Sequence, residues 1–241
     1  MKISIITACL NAAHTIKQTI ASITNQDYQD FEYIIIDGGS TDETISIVES
    51  SEIVSHWISE PDKGISDAFN KGIALCNGDI IGLLNADDVY LPGTLNTVSR
   101  LFTPQVDILS GSIIMKGRHK DIIRAPKLSN LGKCMSLNHP ATFIRKSTYD
   151  MIGGYDTRYK YAMDYDLLLR AHIKGARIGT IDDILTVMSS GGLSDVKWVE
   201  AYHEVAKIKI AANYPSWKAS SELLYQVTRT CLKKMLERLR P

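Results

Sequence analysis

The first 110 residues alternate between short apolar runs and amphipathic stretches, and this alternation constrains the fold more than any other feature of the chain. Three isoleucine-rich runs predict strands, at 3–7, 33–37 and 80–84. Each is followed by polar or glycine-rich sequence, which is typical of buried parallel strands. Three helices are predicted between them: one with Ile16, Ile20 and Ile23 on a single face, one after the start signal at 40–43, and one over 67–76. The pattern predicts an α/β fold whose mainly parallel sheet is flanked by helices and binds ligands where its strands end.

The second half of the chain is less regular. We predict a strand and a turn over 107–125, a loop over 126–138, a strand over 141–144 and a helix over 164–174. Gly191 and Gly192 predict a mobile loop, and the pattern over 197–240 is mostly helical. At 241 residues the chain is long enough for one sizeable α/β domain with a C-terminal helical tail.

Charge is balanced overall but unevenly distributed. From residue 197 onward 9 basic residues oppose 4 acidic ones, so the tail carries +5 and the remainder −5. A neutral total gives no reason to expect a nucleic-acid partner, whereas a basic tail suits an anionic membrane surface. The four cysteines form no CxxC pair, no secretory signal is recognisable, and no apolar stretch approaches 18 residues. We therefore expect a cytoplasmic protein, located at the inner face of the cell membrane if the basic tail binds there.

Acidic clusters follow two of the predicted strands. Asp37, followed by two glycines and a helix start, would let a carboxylate and a helix N-terminus approach a base or ribose. A tight turn explains the same residues equally well. The second cluster, residues 85–88 (NADD), sets adjacent carboxylates at the end of a buried strand. Because like charges repel, we favour a divalent cation such as Mg²⁺ or Mn²⁺, shared with phosphate oxygens, over a plain surface turn.

A third acidic cluster opens the helix predicted over 164–174. Asp164 at its start suits a general base that takes a proton from an acceptor hydroxyl. The structural alternative is an N-cap at Asp164 and a first-turn charge at Asp166, both of which are common.

Weaker signals come from isolated polar and aromatic residues. Asn70 and Lys71 would border a nucleotide or simply form a turn. His139 precedes a strand, and Tyr155 would stack on a sugar ring or pack in the core. The chain has neither a GxxxxGK[ST] nor a GxGxxG motif, and its serines lack a nucleophile-elbow context.

Taken in order, these motifs resemble those of the family 2 glycosyltransferases with the GT-A fold. The matching segments are 4–11, 37–42, 70–73, 78–79, 85–93, 139–145, 153–156 and 164–167. The likeness is greatest to the branch that builds bacterial surface polysaccharides such as colanic acid, O-antigen and capsule. It implies a catalytic domain over 1–195, with a nucleotide-binding half at 1–110 and an acceptor-binding half at 111–195, followed by a helical extension at 196–241.

The resemblance also implies roles for individual residues. Asp87 would hold the metal, Mg²⁺ or Mn²⁺, and Asp164 would be the general base. The acceptor side would include His139 and Asp166. The donor side would include Thr7, Asn11, Asp37, Asn70, Lys71, Asn85 and Asp88. Two departures from the family pattern are Asn85, where Asp is frequent, and Met163, where Glu often precedes the base.

The implied reaction is inverting transfer of a sugar from a nucleotide-diphosphate donor to a hydroxyl of a saccharide or lipid-linked saccharide. Two alternatives stay open at this point. One is a domain that binds a nucleotide sugar without turnover. The other is a sugar-phosphate nucleotidyltransferase, whose usual glycine-rich, arginine-containing opening is absent here.

The C-terminal segment is amphipathic on a helical wheel. Its apolar arc consists of Leu224, Val227, Cys231, Leu232, Met235 and Leu239. The residues mostly opposite are Arg229, Lys233, Lys234 and Arg240. A helix within 218–241 would rest on an anionic membrane, where a lipid-linked acceptor is found, or pack on the catalytic domain or a second subunit.

Overall fold

The computed structural model describes residues 1–117, 120–192 and 196–238, and within them a nine-stranded sheet lies between two layers of helices. The strands are β1 (Ile3–Cys9), β2 (Phe31–Asp37), β3 (His56–Ser59), β4 (Ile80–Leu83), β5 (Val89–Tyr90), β6 (Ile108–Met115), β7 (Ile122–Arg124), β8 (Thr142–Arg145) and β9 (Ile178–Met188). The helices are α1 (Ile16–Thr24), α2 (Thr44–Glu49), α3 (Ile65–Leu75), α4 (Thr94–Leu101), α5 (Lys146–Ile152), α6 (Met163–Ile173), α7 (Trp198–Ala211) and α8 (Ser216–Arg238). The strand order is β3-β2-β1-β4-β8-β6-β9-β5, with β7 paired to β6.

The sheet changes character between β4 and β8. Strands β3, β2, β1 and β4 are all parallel, whereas β8 runs antiparallel to both β4 and β6. The predicted α/β fold is confirmed, and its parallel part is the first half. The second half is mixed because the chain between β6 and β8 returns without a crossover helix, which brings the strand back in the opposite direction.

Isoleucine fills both faces of the parallel strands. Ile6, Ile34 and Ile81 lie under α3, α5 and α6, while Ile5, Ile35 and Ile80 lie under α1, α2 and α4. Successive side chains of a strand point to opposite faces, so a sheet covered on both sides needs continuous apolar runs. This requirement explains why the three predicted strands were recognisable.

A buried carboxylate ties β1, β2 and β4 together at their N-terminal ends. Glu32, 4% exposed, accepts hydrogen bonds from Lys2 Nζ (2.7 Å), Ser4 Oγ (2.5 Å), Asn77 N (2.6 Å) and Gly78 N (3.2 Å). Burial works against ionisation, but the hydrogen bonds from Lys2, Ser4 and Asn77 outweigh it and lower the pKa of Glu32 to about 2. This network lies at the opposite end of the strands from the polar turns.

The C-terminal segment forms α7 and α8, which pack on each other. Lys209 of α7, which is buried, pairs with Glu222 of α8 at 2.6 Å. Glu204 of α7 accepts hydrogen bonds from the N–H groups of residues 160–162, just before α6. These contacts fix the helical extension to the domain.

Some positions in the sequence analysis lie outside the described residues. They are the predicted boundary at 195, and Leu239 and Arg240 of the wheel; the side chains of Lys233 and Lys234 are likewise not described. Within the described residues, no helix combines the length and apolar content that a membrane crossing needs.

Candidate active site

The turn after β2 is held together by Asp37. Its carboxylate accepts the N–H groups of Gly39 (2.9 Å) and Ser40 (2.8 Å), the Ser40 hydroxyl, and Ser59 Oγ at 2.8 Å. Burial opposes ionisation of Asp37, but the bonds from Ser40, Ser59 and Gly39 outweigh it and lower its pKa. Both carboxylate oxygens of Asp37 therefore accept hydrogen bonds. Asp37 is fully buried beneath the edge of the sheet.

Asn11 and Thr7 of the predicted donor side lie at different depths. Asn11 is exposed at the end of β1, in a left-handed conformation (φ 50°). Its Oδ1 accepts the Thr41 N–H at 2.9 Å, so it fastens β1 to the turn after β2. Thr7 is fully buried and accepts a hydrogen bond from Tyr33 OH at 3.0 Å.

Asn70 and Lys71 lie in the middle of α3 and contact different neighbours. Asn70 accepts the Tyr155 N–H at 2.8 Å and donates to the Tyr155 carbonyl at 2.8 Å. Lys71 pairs with Glu60 at 2.7 Å, in the segment after β3. Asn70 thus fixes the backbone of Tyr155, while Lys71 belongs to a separate charged pair.

The two adjacent carboxylates in the turn after β4 differ in their exposure to solvent. Asp88 is 1% exposed and accepts the Ser189 N–H at 2.9 Å and Asn85 Nδ2 at 3.3 Å. Burial, with a smaller contribution from Asp87, outweighs the Ser189 N–H and His139 and raises the pKa of Asp88 to about 6. Asp87 is exposed, and its carboxylate has no hydrogen-bond or ion-pair partner in the described part of the chain.

The donor set at this turn fits a shared cation. The described residues contain no group of three or more His, Cys, Asp or Glu able to hold a metal ion by themselves. Asp87 has a free carboxylate, and the buried Oδ1 of Asn85 has no partner among the described residues. Mg²⁺ in proteins is usually held by one or two carboxylates together with substrate phosphates. The residues present therefore suit a cation that binds together with a phosphorylated ligand.

Asp164 forms the second part of the site. It is the second residue of α6; its Oδ1 accepts a hydrogen bond from Tyr155 OH (3.1 Å) and lies 2.9 Å from His139 Nδ1. The other oxygen, Oδ2, receives no hydrogen bond from the described residues. Burial favours neutral His139, but Asp164 outweighs this and, with a contribution from Asp88, raises the pKa of His139. Burial and the neighbouring Asp164 raise the pKa of the Tyr155 hydroxyl well above its ordinary value.

The structure brings together Asp88, His139 and Asp164 from three separate segments, and Asp166 does not join them. Asp166 is 6% exposed and pairs with Arg170 at 2.7 Å. Arg170 also donates to the carbonyls of Ile152 and Gly154, each at 2.7 Å. Asp166 therefore anchors the corner between α5 and α6.

Two contributors have no clear signal in the sequence. Ser189 holds Asp88 through its backbone N–H, and every residue except proline carries such a donor. Phe69 lies 5.6 Å from the His139 ring and 5.5 Å from the Tyr155 ring, centroid to centroid. The sequence predicts only a helix over 67–76 here, so the place of Phe69 between these rings was not predictable.

An α/β sheet with an exposed carboxylate turn after β4, and a second carboxylate at the start of a helix, is the arrangement expected of a GT-A transferase. Residues 4–161 match the sequence profile of Glycosyl transferase family 2, and the chain belongs to this family. The resemblance inferred from the motifs is confirmed. The protein is an enzyme of the glycosyltransferase class, and the family match argues against a sugar-phosphate nucleotidyltransferase.

The relatives and solved structures agree with this assignment. The chain is 30% identical over 203 residues, covering 80% of this chain and 78% of the relative, to the PGL/p-HBAD biosynthesis glycosyltransferase of Mycobacterium bovis (strain BCG / Pasteur 1173P2). It superposes on S. aureus TarS 1-349 in complex with UDP-GlcNAc with a TM-score of 0.70 at 18% identity, covering 92% of this chain and 70% of that one. It superposes on the mannosyltransferase PcManGT from Pyrobaculum calidifontis, in complex with GDP-Man and Mn²⁺, with a TM-score of 0.70 at 20% identity, covering 92% and 69%. These two structures confirm the GT-A fold.

Proposed function

We propose that this enzyme transfers a sugar from a nucleoside-diphosphate donor to an acceptor hydroxyl, with inversion at the anomeric carbon, during the synthesis of a cell-surface polysaccharide or glycolipid. One observation carries the proposal: one carboxylate oxygen of Asp164 contacts both His139 Nδ1 and Tyr155 OH, and the other has no partner among the described residues. A general base needs an oxygen that is free to accept the acceptor proton. The relative named for PGL/p-HBAD biosynthesis and the two structures with nucleotide sugars support the substrate class.

The donor diphosphate is assigned to the turn after β4. Asp87 and the Asn85 amide oxygen would hold Mg²⁺ or Mn²⁺ there, and the Mn²⁺ in the PcManGT complex supports the same choice. When bound, such a cation supplies positive charge to the leaving diphosphate. Asp88 keeps the turn in place through Ser189, and Asn11 and the Asp37 turn form the neighbouring edge toward the nucleoside.

The acceptor is assigned to the Asp164 side. The acceptor oxygen attacks the anomeric carbon from the face opposite the diphosphate, and its proton passes to Asp164 Oδ2. The new bond joins the acceptor oxygen to carbon while the bond from carbon to the phosphate oxygen breaks. A single displacement of this kind inverts the carbon and releases a nucleoside diphosphate.

Donor binding is tested by thermal unfolding with UDP, GDP, CDP or dTDP, each with Mn²⁺ or with EDTA. A nucleotide at about 100 times its dissociation constant adds about 2.7 kcal/mol to the free energy of unfolding, or about 5–10 °C for a chain of this size. We expect one base to stabilise the wild type with Mn²⁺ and to lose this effect in Asp87→Asn. The control Asp182→Asn changes an exposed carboxylate of β9 and should respond like the wild type. Equal stabilisation of Asp87→Asn and wild type would contradict the assignment of Asp87.

Catalysis is tested with sugar conjugates of the nucleotide that stabilises the protein. The assay identifies the nucleotide product that is released. We expect nucleoside diphosphate and no pyrophosphate. Asp164→Asn should lower transfer by at least about 100-fold, consistent with the usual contribution of general base catalysis, while the thermal shift with nucleotide persists. Near-normal turnover of Asp164→Asn would rule out its role as the base.

The exposed face of α8 is assigned to an anionic membrane. Trp217, Leu224, Tyr225, Leu232 and Met235 are 56–69% exposed, so the apolar residues here do not cover the domain. Val227, which the wheel placed with them, is half-buried instead. Lys218 and Arg229 are exposed and lie along one edge of this face. Aromatic and aliphatic residues bordered by basic ones suit the interface of an anionic bilayer, which is also where a lipid-linked acceptor is found.

Vesicle flotation separates this assignment from an interface between two copies of the chain. The wild type should float with vesicles containing anionic phosphatidylglycerol and less with neutral phosphatidylcholine vesicles. The double variant Leu224→Ser/Tyr225→Ser should lose flotation, and Ile122→Ser, an exposed apolar residue of β7, should keep it. No flotation by the wild type, together with a dimer that the double variant dissociates, would contradict membrane contact.

A further inference from the structure

We propose that His139 is a positioning residue for Asp164: its Nδ1–H group fixes one carboxylate oxygen and so directs the other toward the acceptor hydroxyl. The inference rests on the proposed role of Asp164 as general base. It assigns His139 to the base itself rather than to contact with the acceptor, which was the role implied by the family resemblance.

The turn that carries His139 is rigidly anchored. His139 begins a short 3₁₀ turn (His139–Ala141), and the preceding Asn138 is 4% exposed. Asn138 Nδ2 donates to the carbonyls of Gly111 (2.9 Å) and Arg124 (3.0 Å), and its own carbonyl accepts Thr142 Oγ1 at 2.7 Å. Because three segments hold this turn, the imidazole cannot follow Asp164 if the carboxylate rotates.

The ring of His139 is also confined by its neighbours. Its side chain is 12% exposed, and Phe69 packs against it with ring centroids 5.6 Å apart. The Nδ1 atom is therefore held 2.9 Å from Asp164 Oδ1 by a ring whose own position is fixed. A buried donor with a charged acceptor gives one of the stronger hydrogen bonds in proteins.

Tyr155 supplies a second donor to the same oxygen from a position that is fixed independently. Its backbone is bound on both sides by Asn70, and a Cβ atom at Gly154 would approach Asn70 Oδ1 to 2.8 Å, so only glycine fits beside this contact. Both contacts fall on Oδ1 and none from the described residues falls on Oδ2, and this asymmetry sets the rotation of the Asp164 carboxylate. An aspartate in the first turn of a helix would otherwise be free to turn back toward the helix N–H groups.

A pair of substitutions at His139 separates this role from simple packing. In Asn the amide nitrogen is bonded to Cγ, as Nδ1 is in His, so His139→Asn keeps a donor near the Nδ1 position. In Gln the amide lies one carbon farther out, so His139→Gln keeps polarity and bulk but loses that donor. A packing role predicts similar behaviour of the two variants, whereas a positioning role predicts that only His139→Asn retains activity.

The experiment measures kcat and KM for donor and acceptor in the full-length wild type and both variants. We expect His139→Gln to lower kcat about tenfold to hundredfold, the effect of losing one hydrogen bond to a charged group, with both KM values within about threefold of wild type. His139→Asn should recover most of the loss, and Tyr155→Phe should lower kcat to a smaller extent. Wild-type kcat in His139→Gln, or equal losses in the two His139 variants, would overturn the inference.

A second measurement does not depend on turnover. In ¹⁵N-labelled wild type the Nδ1 proton of His139 should exchange slowly with solvent and be visible by NMR, and Asp164→Ala should abolish this protection. Absence of the protected proton in the wild type overturns the inference whatever the activity. A protected proton in a wild type that transfers no sugar from any nucleotide donor would instead count against the proposed function.

Discussion

Replacing Glu32 by Gln tests how much a single buried carboxylate contributes to this fold. The pKa of Glu32 falls from its ordinary value of 4.5 to about 2 in the folded protein. At about 1.4 kcal/mol for each tenfold change in proton affinity, ionised Glu32 contributes about 3 kcal/mol to stability at neutral pH. Gln has nearly the same shape, but its NH₂ group meets donors, so Glu32→Gln should lose about this amount.

The stabilisation by Glu32 should decrease as the pH falls. Because the folded pKa is lowered, the contribution is complete above the unfolded pKa of about 4.5 and disappears as pH falls through about 2. Urea unfolding followed by circular dichroism should therefore give a difference between wild type and Glu32→Gln of about 3 kcal/mol at pH 7 and about 2 kcal/mol at pH 3.5. Glu52→Gln, at an exposed site, serves as the control. A loss below about 1 kcal/mol at pH 7, or a difference independent of pH, would refute the reasoning.

Two further predictions concern packing around the site, and both are measured by urea unfolding. Gly82→Ala should lower the free energy of unfolding by about 1–3 kcal/mol, because its Cβ would lie 2.6 Å from the buried ring of Phe143; an unchanged midpoint would mean that the ring moves aside. Arg170→Lys should cost about 2 kcal/mol, since a single ammonium cannot replace the bonds to Asp166, Ile152 and Gly154. A stability equal to wild type would show that this corner is held by packing alone.

The strands that were easiest to predict are those that must be apolar on both faces. β1, β2 and β4 are buried on both faces and therefore appear as isoleucine runs. β9 was not predicted, because it mixes apolar residues with the exposed Asp182 and Asp183. Its pairing with β6 depends on contacts far apart in the chain, and no local pattern records such a contact.

The sequence predicted candidate site residues but not which of them contact one another. The motifs pointed to Asp87 and Asp164 separately, and the family resemblance placed Asp166 with His139 on the acceptor side. Residues two apart on a helix point in different directions, and the structure places Asp166 against Arg170. The contact between His139 and Asp164 joins residues 25 positions apart, which neither spacing nor composition reveals.

The strand order has a consequence for synthesis of the chain on the ribosome. β8 lies between β4 and β6, so the parallel strands of the first half have an open edge until residue 145 has been made. About 60 residues separate the end of β4 from the end of β8, and at 5–20 residues per second their translation takes about 3–12 s. For that interval the backbone of β4 is a template for any extended chain nearby. During this interval the first half exposes an unpaired strand edge that only its own later strand, β8, covers in the finished fold.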